Sequence, residues 1–277
     1  MRRVVLGSLM SRNSISNDQD LVPPAASAAG PGPDKLKADA GSTRNGSHAA
    51  SVSPPRASTN GKHRGLSMES MVREAEIRLV QQLFFLPVPD VPRMVVFAGV
   101  EHGNGCSRIC ARAAETLAHQ VPGSVCLVDA NLRSPSLHHY FGVDSPSGLV
   151  EAIFAPGPIA KFARQLPGNN LWLLPCGSVP SDPHALLTSH RLRSRMAELQ
   201  AAFDYVLIDA PPVSPYTDAI LLGQLADGVV LVVEANSTHR QTALKAKESL
   251  ESANSRLLAA VLNKRTFPIP ESIYRRL

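Results

Sequence analysis

The sequence predicts an α/β fold, a doubly wound and mostly parallel sheet, and three observations carry that expectation. Short apolar runs alternate with helical stretches from residue 94 onward, the order of a sheet wound with helices. The runs Tyr205-Val206-Leu207-Ile208 and Val229-Val230-Leu231-Val232-Val233 are apolar on both faces, as strands covered by helices on each side must be. The first run, residues 94–99, passes into a Gly-rich turn and then a helix, which is the layout of a phosphate-binding P-loop.

Residues 1–65 are rich in Ser, Ala, Gly, Pro and Asn and lack periodic apolar positions, so they are expected to form a disordered tail. They carry 9 basic and 4 acidic side chains, which accounts for the whole net charge of +5. Residues 66–277 therefore balance, and their charge gives no reason to expect a nucleic-acid partner. Arg2 and Arg3 precede a short apolar run that imitates a signal peptide, but polar residues follow directly and no cleavage site is evident. With no run of transmembrane length, and with Cys106, Cys110, Cys126 and Cys176 forming no scaffold of paired spacings, the protein is read as cytoplasmic.

Ser67 is expected to cap a helix running to about Leu86, and Pro87, Pro89 and Pro92 then end it, so 66–91 is a helix and linker. Residues 92–277 form the nucleotide-binding domain, with strands at 94–99, 124–129, 171–175, 204–209, 228–233 and 257–262. Helices are expected at 106–120, 147–154, 183–201, 216–225 and 238–253. Ligands of such sheets bind beyond the carboxyl ends of the strands, and three motifs fall there.

The first is Gly103-Asn104-Gly105-Cys106-Ser107-Arg108. The glycines permit a tight backbone that approaches a phosphate closely, and the helix that follows favours anions. Ser107 has the hydroxyl for Mg²⁺, but Cys106 stands where such loops place the lysine that reaches the β and γ phosphates. The second is Leu127-Val128-Asp129-Ala130-Asn131-Leu132-Arg133, whose Asp129 is either a base and metal-side carboxylate or the cap of the next turn. The third is Tyr205-Val206-Leu207-Ile208-Asp209-Ala210-Pro211-Pro212, whose Asp209 ends an apolar strand where a Walker-B carboxylate holds Mg²⁺.

These motifs in this order, with Ser136-Leu137-His138-His139-Tyr140-Phe141-Gly142 and the run from Leu174 to Leu187, resemble the cytoplasmic bacterial tyrosine kinases of exopolysaccharide export, the CpsD/CapB-like family. The resemblance covers about residue 67 to the C-terminus and implies a MinD/ParA-type P-loop fold. It also implies ATP and Mg²⁺ as cofactors, and tyrosine autophosphorylation in trans. It implies Ser107 and Asp209 as metal residues, Asp129 as the base for a tyrosine hydroxyl, and Asn263 as a contact to adenine. Its expected partner is an inner-membrane polysaccharide copolymerase, with the chain peripheral to the membrane through that partner.

The departures shape the expected function. Loss of the P-loop lysine removes several kcal/mol of transition-state stabilisation, or orders of magnitude in rate. Arg108 is a candidate replacement that starts on another side of the helix. Asn131 replaces the second acid of the Walker-A′ motif. The helix near Glu74 and Arg78 lacks the family's Glu-x-x-Arg-x-x-Arg pattern, so a homo-oligomer is left open. Tyr274 is the one phosphoacceptor candidate near the C-terminus. The reading is a kinase-like, ATP-binding regulator of exopolysaccharide biosynthesis with weak or absent phosphotransfer. The alternatives are a nucleotide-free interaction module (a pseudokinase) or a MinD/ParA-like ATPase. Cys106, at a helix N-terminus, is expected to have a lowered thiol pKa. His138 and His139, as helical neighbours, are expected not to face each other, and Trp172 is expected in the core.

Overall fold

The computed structural model describes residues 68–265, apart from residues 88, 89, 145, 168 and 169. The expected tail 1–65, the Ser67 cap and Tyr274 lie outside the described residues.

Seven strands form one sheet in the order β3-β4-β2-β5-β1-β6-β7: β1 Met94–Gly99, β2 Val125–Asp129, β3 Arg164–Gln165, β4 Leu171–Leu174, β5 Tyr205–Ala210, β6 Gly228–Glu234 and β7 Leu257–Asn263. All neighbouring pairs are parallel except β3 with β4. The two-residue β3 is absent from the expected strands because one so short has no period of its own.

Alternation along each strand divides the core. Met94, Val96 and Ala98 of β1 face one cluster with Val128, Ile208 and Leu231. That face is covered by α4 (Leu149–Phe154), α6 (His190–Ala202), α7 (Asp218–Gly223) and α8 (Arg240–Ser252), which contribute buried Ile153, Met196, Leu222 and Leu250. Val95 and Phe97 face the other cluster with Leu127, Leu207 and Val232, beneath α1 (Met68–Phe84) and α2 (Cys106–Gln120). Both faces are dry, which is why the strands read as unbroken apolar runs.

The helix expected at 183–201 is two helices, α5 (Pro183–Leu187) and α6. Asp182 caps the first by accepting from the Ala185 N–H at 3.0 Å, and Ser189 caps the second by accepting from the Leu192 N–H at 3.2 Å. The Thr188 hydroxyl donates to the His184 carbonyl at 3.0 Å, a local bond that competes with helix continuation. A further short helix, α3 (Leu137–Phe141), follows β2. Its His138 and His139 rings lie 3.9 Å apart, contrary to the expectation that they turn away from each other. Trp172 is half-buried rather than central, with its ring centroid 6.0 Å from that of Phe203. No described helix is long and apolar enough to cross a membrane.

Candidate phosphate and metal site

The sheet order places β2, β5 and β1 side by side at its centre, so the three motifs converge beyond the carboxyl ends of these strands. The loop after β1 takes left-handed backbone at Gly103 (φ 79°) and Gly105 (φ 78°), conformations open to glycine at little cost. Gly105 is the N-cap of α2, whose first residues are Cys106 and Ser107. Asn104 is buried, and its side-chain oxygen accepts from the Glu101 N–H at 2.7 Å, which folds the loop back on itself.

Asp129 and Asp209 are register partners on adjacent parallel strands, and both are fully buried. Asp129 accepts from the N–H groups of Ser136 and Leu137, each at 3.0 Å, and of Asn131 at 3.3 Å. Two of these donors open α3, so Asp129 does cap the next turn while standing in the site. Burial pushes its carboxyl up to about 6, against the lowering by those three N–H groups. Neither carboxylate oxygen of Asp209 has a hydrogen bond of regular geometry, although the Ser107 hydroxyl and Cys106 thiol stand close enough to act on it as donors. Burial first, and then the charge of Asp129, raise it well above the usual carboxylate range, with Ser107 and Cys106 beside it pulling the other way.

A buried carboxylate without partners is costly unless something satisfies it. Mg²⁺ suits that unmet bonding capacity, because it is held by one or two carboxylates, a hydroxyl and retained waters rather than by a full protein cage. Asp209 and Ser107 are the residues that would hold it. No group of three or more His, Cys, Asp or Glu side chains suited to a metal occurs among the described residues.

The charges and thiols around the first motif differ from expectation. The Cys106 thiol is raised, not lowered: burial dominates, and the Asp209 charge adds to it, outweighing the helix N-terminus. Cys110, one turn on, is raised for the same two reasons. Arg108 is exposed on α2, and its charge is felt at Tyr140 of α3. Asn263 is buried, and its amide nitrogen donates to the Asn104 carbonyl at 2.8 Å, so it braces the loop.

Sequence reasoning missed the association of Arg133 with Tyr216 and Asp218. Arg133 makes a bidentate pair with the fully buried Asp218 at 2.7 and 3.0 Å, and its guanidinium lies 4.0 Å from the Tyr216 ring centroid. The same ring meets His102 of the phosphate loop edge-on at 5.5 Å. These contacts join the loops after β1, β2 and β5 across separations that no local pattern records. Arg133→Met leaves Asp218 buried and unpaired, and should cost about 2–4 kcal/mol in chemical denaturation. A loss below about 0.5 kcal/mol would show that the pair is dispensable.

The family model described as cellulose biosynthesis protein BcsQ matches residues 93–262. The tyrosine-protein kinase YwqD of Bacillus subtilis (strain 168) is 33% identical over 179 residues, covering 65% of this chain and 75% of that protein. The solved structure of the chimerical protein CapA2B2 aligns with a TM-score of 0.66 at 27% identity, over 70% of this chain and 85% of that one. The MinC:MinD cell division protein complex of Aquifex aeolicus aligns with a TM-score of 0.54 at 21% identity, over 66% of this chain and 72% of that one, a likeness of fold.

Proposed function

Because the chain matches the BcsQ family model and belongs with the CpsD/CapB-like bacterial tyrosine kinases, we propose that it is a Mg-ATP-binding, kinase-like regulator of exopolysaccharide biosynthesis. The observation that carries this reading is Asp209, buried and without a hydrogen bond of regular geometry at either oxygen, beside Ser107 at the foot of a phosphate loop. Such a carboxylate costs stability, and a bound cation is what offsets it.

In this reading the loop N–H groups of residues 103–108 and the α2 N-terminus hold the phosphates, and Ser107 and Asp209 hold the metal. Mg-ATP, when bound, supplies the phosphoryl group and the positive charge beside it. Asp129 is oriented by three backbone N–H groups and accepts the proton of an attacking hydroxyl. Cys106 brings no charge, so phosphoryl transfer is slow and nucleotide occupancy is the principal output. Tyr274 is the phosphoacceptor we propose. The partner we propose is the cytoplasmic face of an inner-membrane polysaccharide copolymerase, with support from the resemblance alone.

Saturating Mg-ATP should raise the melting temperature of the full chain, because a ligand of the native state adds stability by mass action. Asp209→Ala should abolish the rise that depends on Mg²⁺. A wild-type melting temperature unmoved by ATP or ADP would overturn the reading. Any phosphotyrosine formed should increase as pH rises through about 6, since Asp129 must lose its proton to act as a base. A rate that stays flat as pH crosses that value would exclude Asp129 from the role.

Cys106 itself favours a second reading, a nucleotide-free module that uses the same face to contact its partner. It predicts no thermal response to nucleotide at all.

A further inference from the structure

Two successive carbonyls of the phosphate loop are held from the end of β7 by two successive residues. The Asn263 amide donates to the Asn104 carbonyl at 2.8 Å, and the Lys264 ammonium donates to the Gly103 carbonyl at 2.7 Å. Lys264 also pairs with the Glu234 carboxylate at 3.2 Å, and Asn104 reaches Glu234 and the Thr238 hydroxyl with its amide at 3.4 and 3.5 Å. Glu234 and Asn263 are themselves register partners across β6 and β7. Lys264 adopts φ 55°, a left-handed backbone uncommon for a residue with a side chain, and this turns the chain back toward the loop.

In a trans peptide the carbonyl and the following N–H point in opposite directions. Holding the Gly103 and Asn104 carbonyls toward β7 therefore sends the Asn104 and Gly105 N–H groups the other way, into the concavity formed by the loop. Left-handed Gly103 and Gly105 on either side of Asn104 give the alternation by which successive N–H groups converge on an anion.

We propose that Lys264 sets the shape of this phosphate loop: with Asn263 it holds the loop's carbonyls on the β7 side and so fixes the loop's N–H groups toward a nucleoside di- or triphosphate, its own ammonium being neutralised by Glu234. The inference rests on the nucleotide-binding reading above. Lys264 is a positioning residue in this scheme, acting on the phosphates through the loop. No local pattern marks it, because its partner Gly103 lies 161 residues away.

The test is equilibrium binding of ATP, ADP and adenosine, with Mg²⁺, to the full wild-type chain and to Lys264→Met, Lys264→Arg and Cys106→Lys/Lys264→Met. Lys264→Met should weaken ATP and ADP about tenfold and leave adenosine unchanged, because only the phosphates meet the loop's N–H groups. Lys264→Arg should retain most of the affinity, and the added lysine at position 106 should restore it. Equal weakening of all three ligands would assign Lys264 a merely structural role and overturn the inference. So would wild-type ATP affinity in Lys264→Met. Absence of binding in both wild type and the double variant overturns the nucleotide reading together with the inference.

Discussion

Replacing Cys106 with lysine should raise the affinity for Mg-ATP by about ten- to a hundredfold and any phosphotransfer by about a hundredfold or more. The native residue lies at the first position of α2, beside Asp209, and places an uncharged, raised-pKa thiol where the developing phosphoryl charge would be met. A charge-assisted bond to phosphate is worth about 1.5–3 kcal/mol, and a preorganised donor to the transition state about 10²–10³ in rate. Lysine at 106 would also give Asp209 a cationic neighbour and pull its carboxyl back toward the ionised form. Calorimetry and phosphotyrosine immunodetection on the variant check both effects. An unchanged affinity would mean that the loop geometry, and not the missing charge, limits the site.

Asp209→Asn should stabilise the protein at neutral pH while abolishing its response to Mg²⁺. Asp129 and Asp209 face one another in register, both buried, and both have carboxyls raised, Asp129 from 3.8 to about 6. The native state therefore holds protons that the unfolded chain has released. The stability this contributes is complete below the unfolded carboxylate pKa of about 4 and is lost as pH rises through about 6 and above. Removing one charge of the pair should raise the melting temperature in mildly alkaline buffer, flatten the pH dependence, and give little gain in acid below the unfolded pKa. A variant less stable than wild type in the alkaline buffer would show that Asp209 is satisfied in solution.

The fold and the three motifs are legible in the sequence because each is local. Apolar runs such as Val229 to Val233 announce strands covered on both sides, and glycines at 103 and 105 announce a backbone that only a tight loop requires. The features that differ are decided at long range or by competition. A helix N-terminus alone would activate the thiol of Cys106, and burial with the Asp209 charge reverses the direction. The single helix expected at 183–201 breaks at Thr188 and Ser189, whose hydroxyls bond locally to backbone. Arg133 is visible as a motif residue, but its pairing with Asp218, 85 residues on, is not. Asn263, for which the resemblance implies an adenine contact, also has a bond that no local pattern records, from its amide nitrogen to the loop backbone 159 residues away.

Whether this chain binds Mg-ATP without a P-loop lysine is decided by calorimetric titration of Mg-ATP into the full wild-type chain, with Asp209→Ala alongside. Saturable binding by wild type, lost or greatly weakened in Asp209→Ala, is the outcome expected. No heat of binding to wild type, with binding appearing only in Cys106→Lys, would refute the proposed function and identify the native protein as a nucleotide-free module.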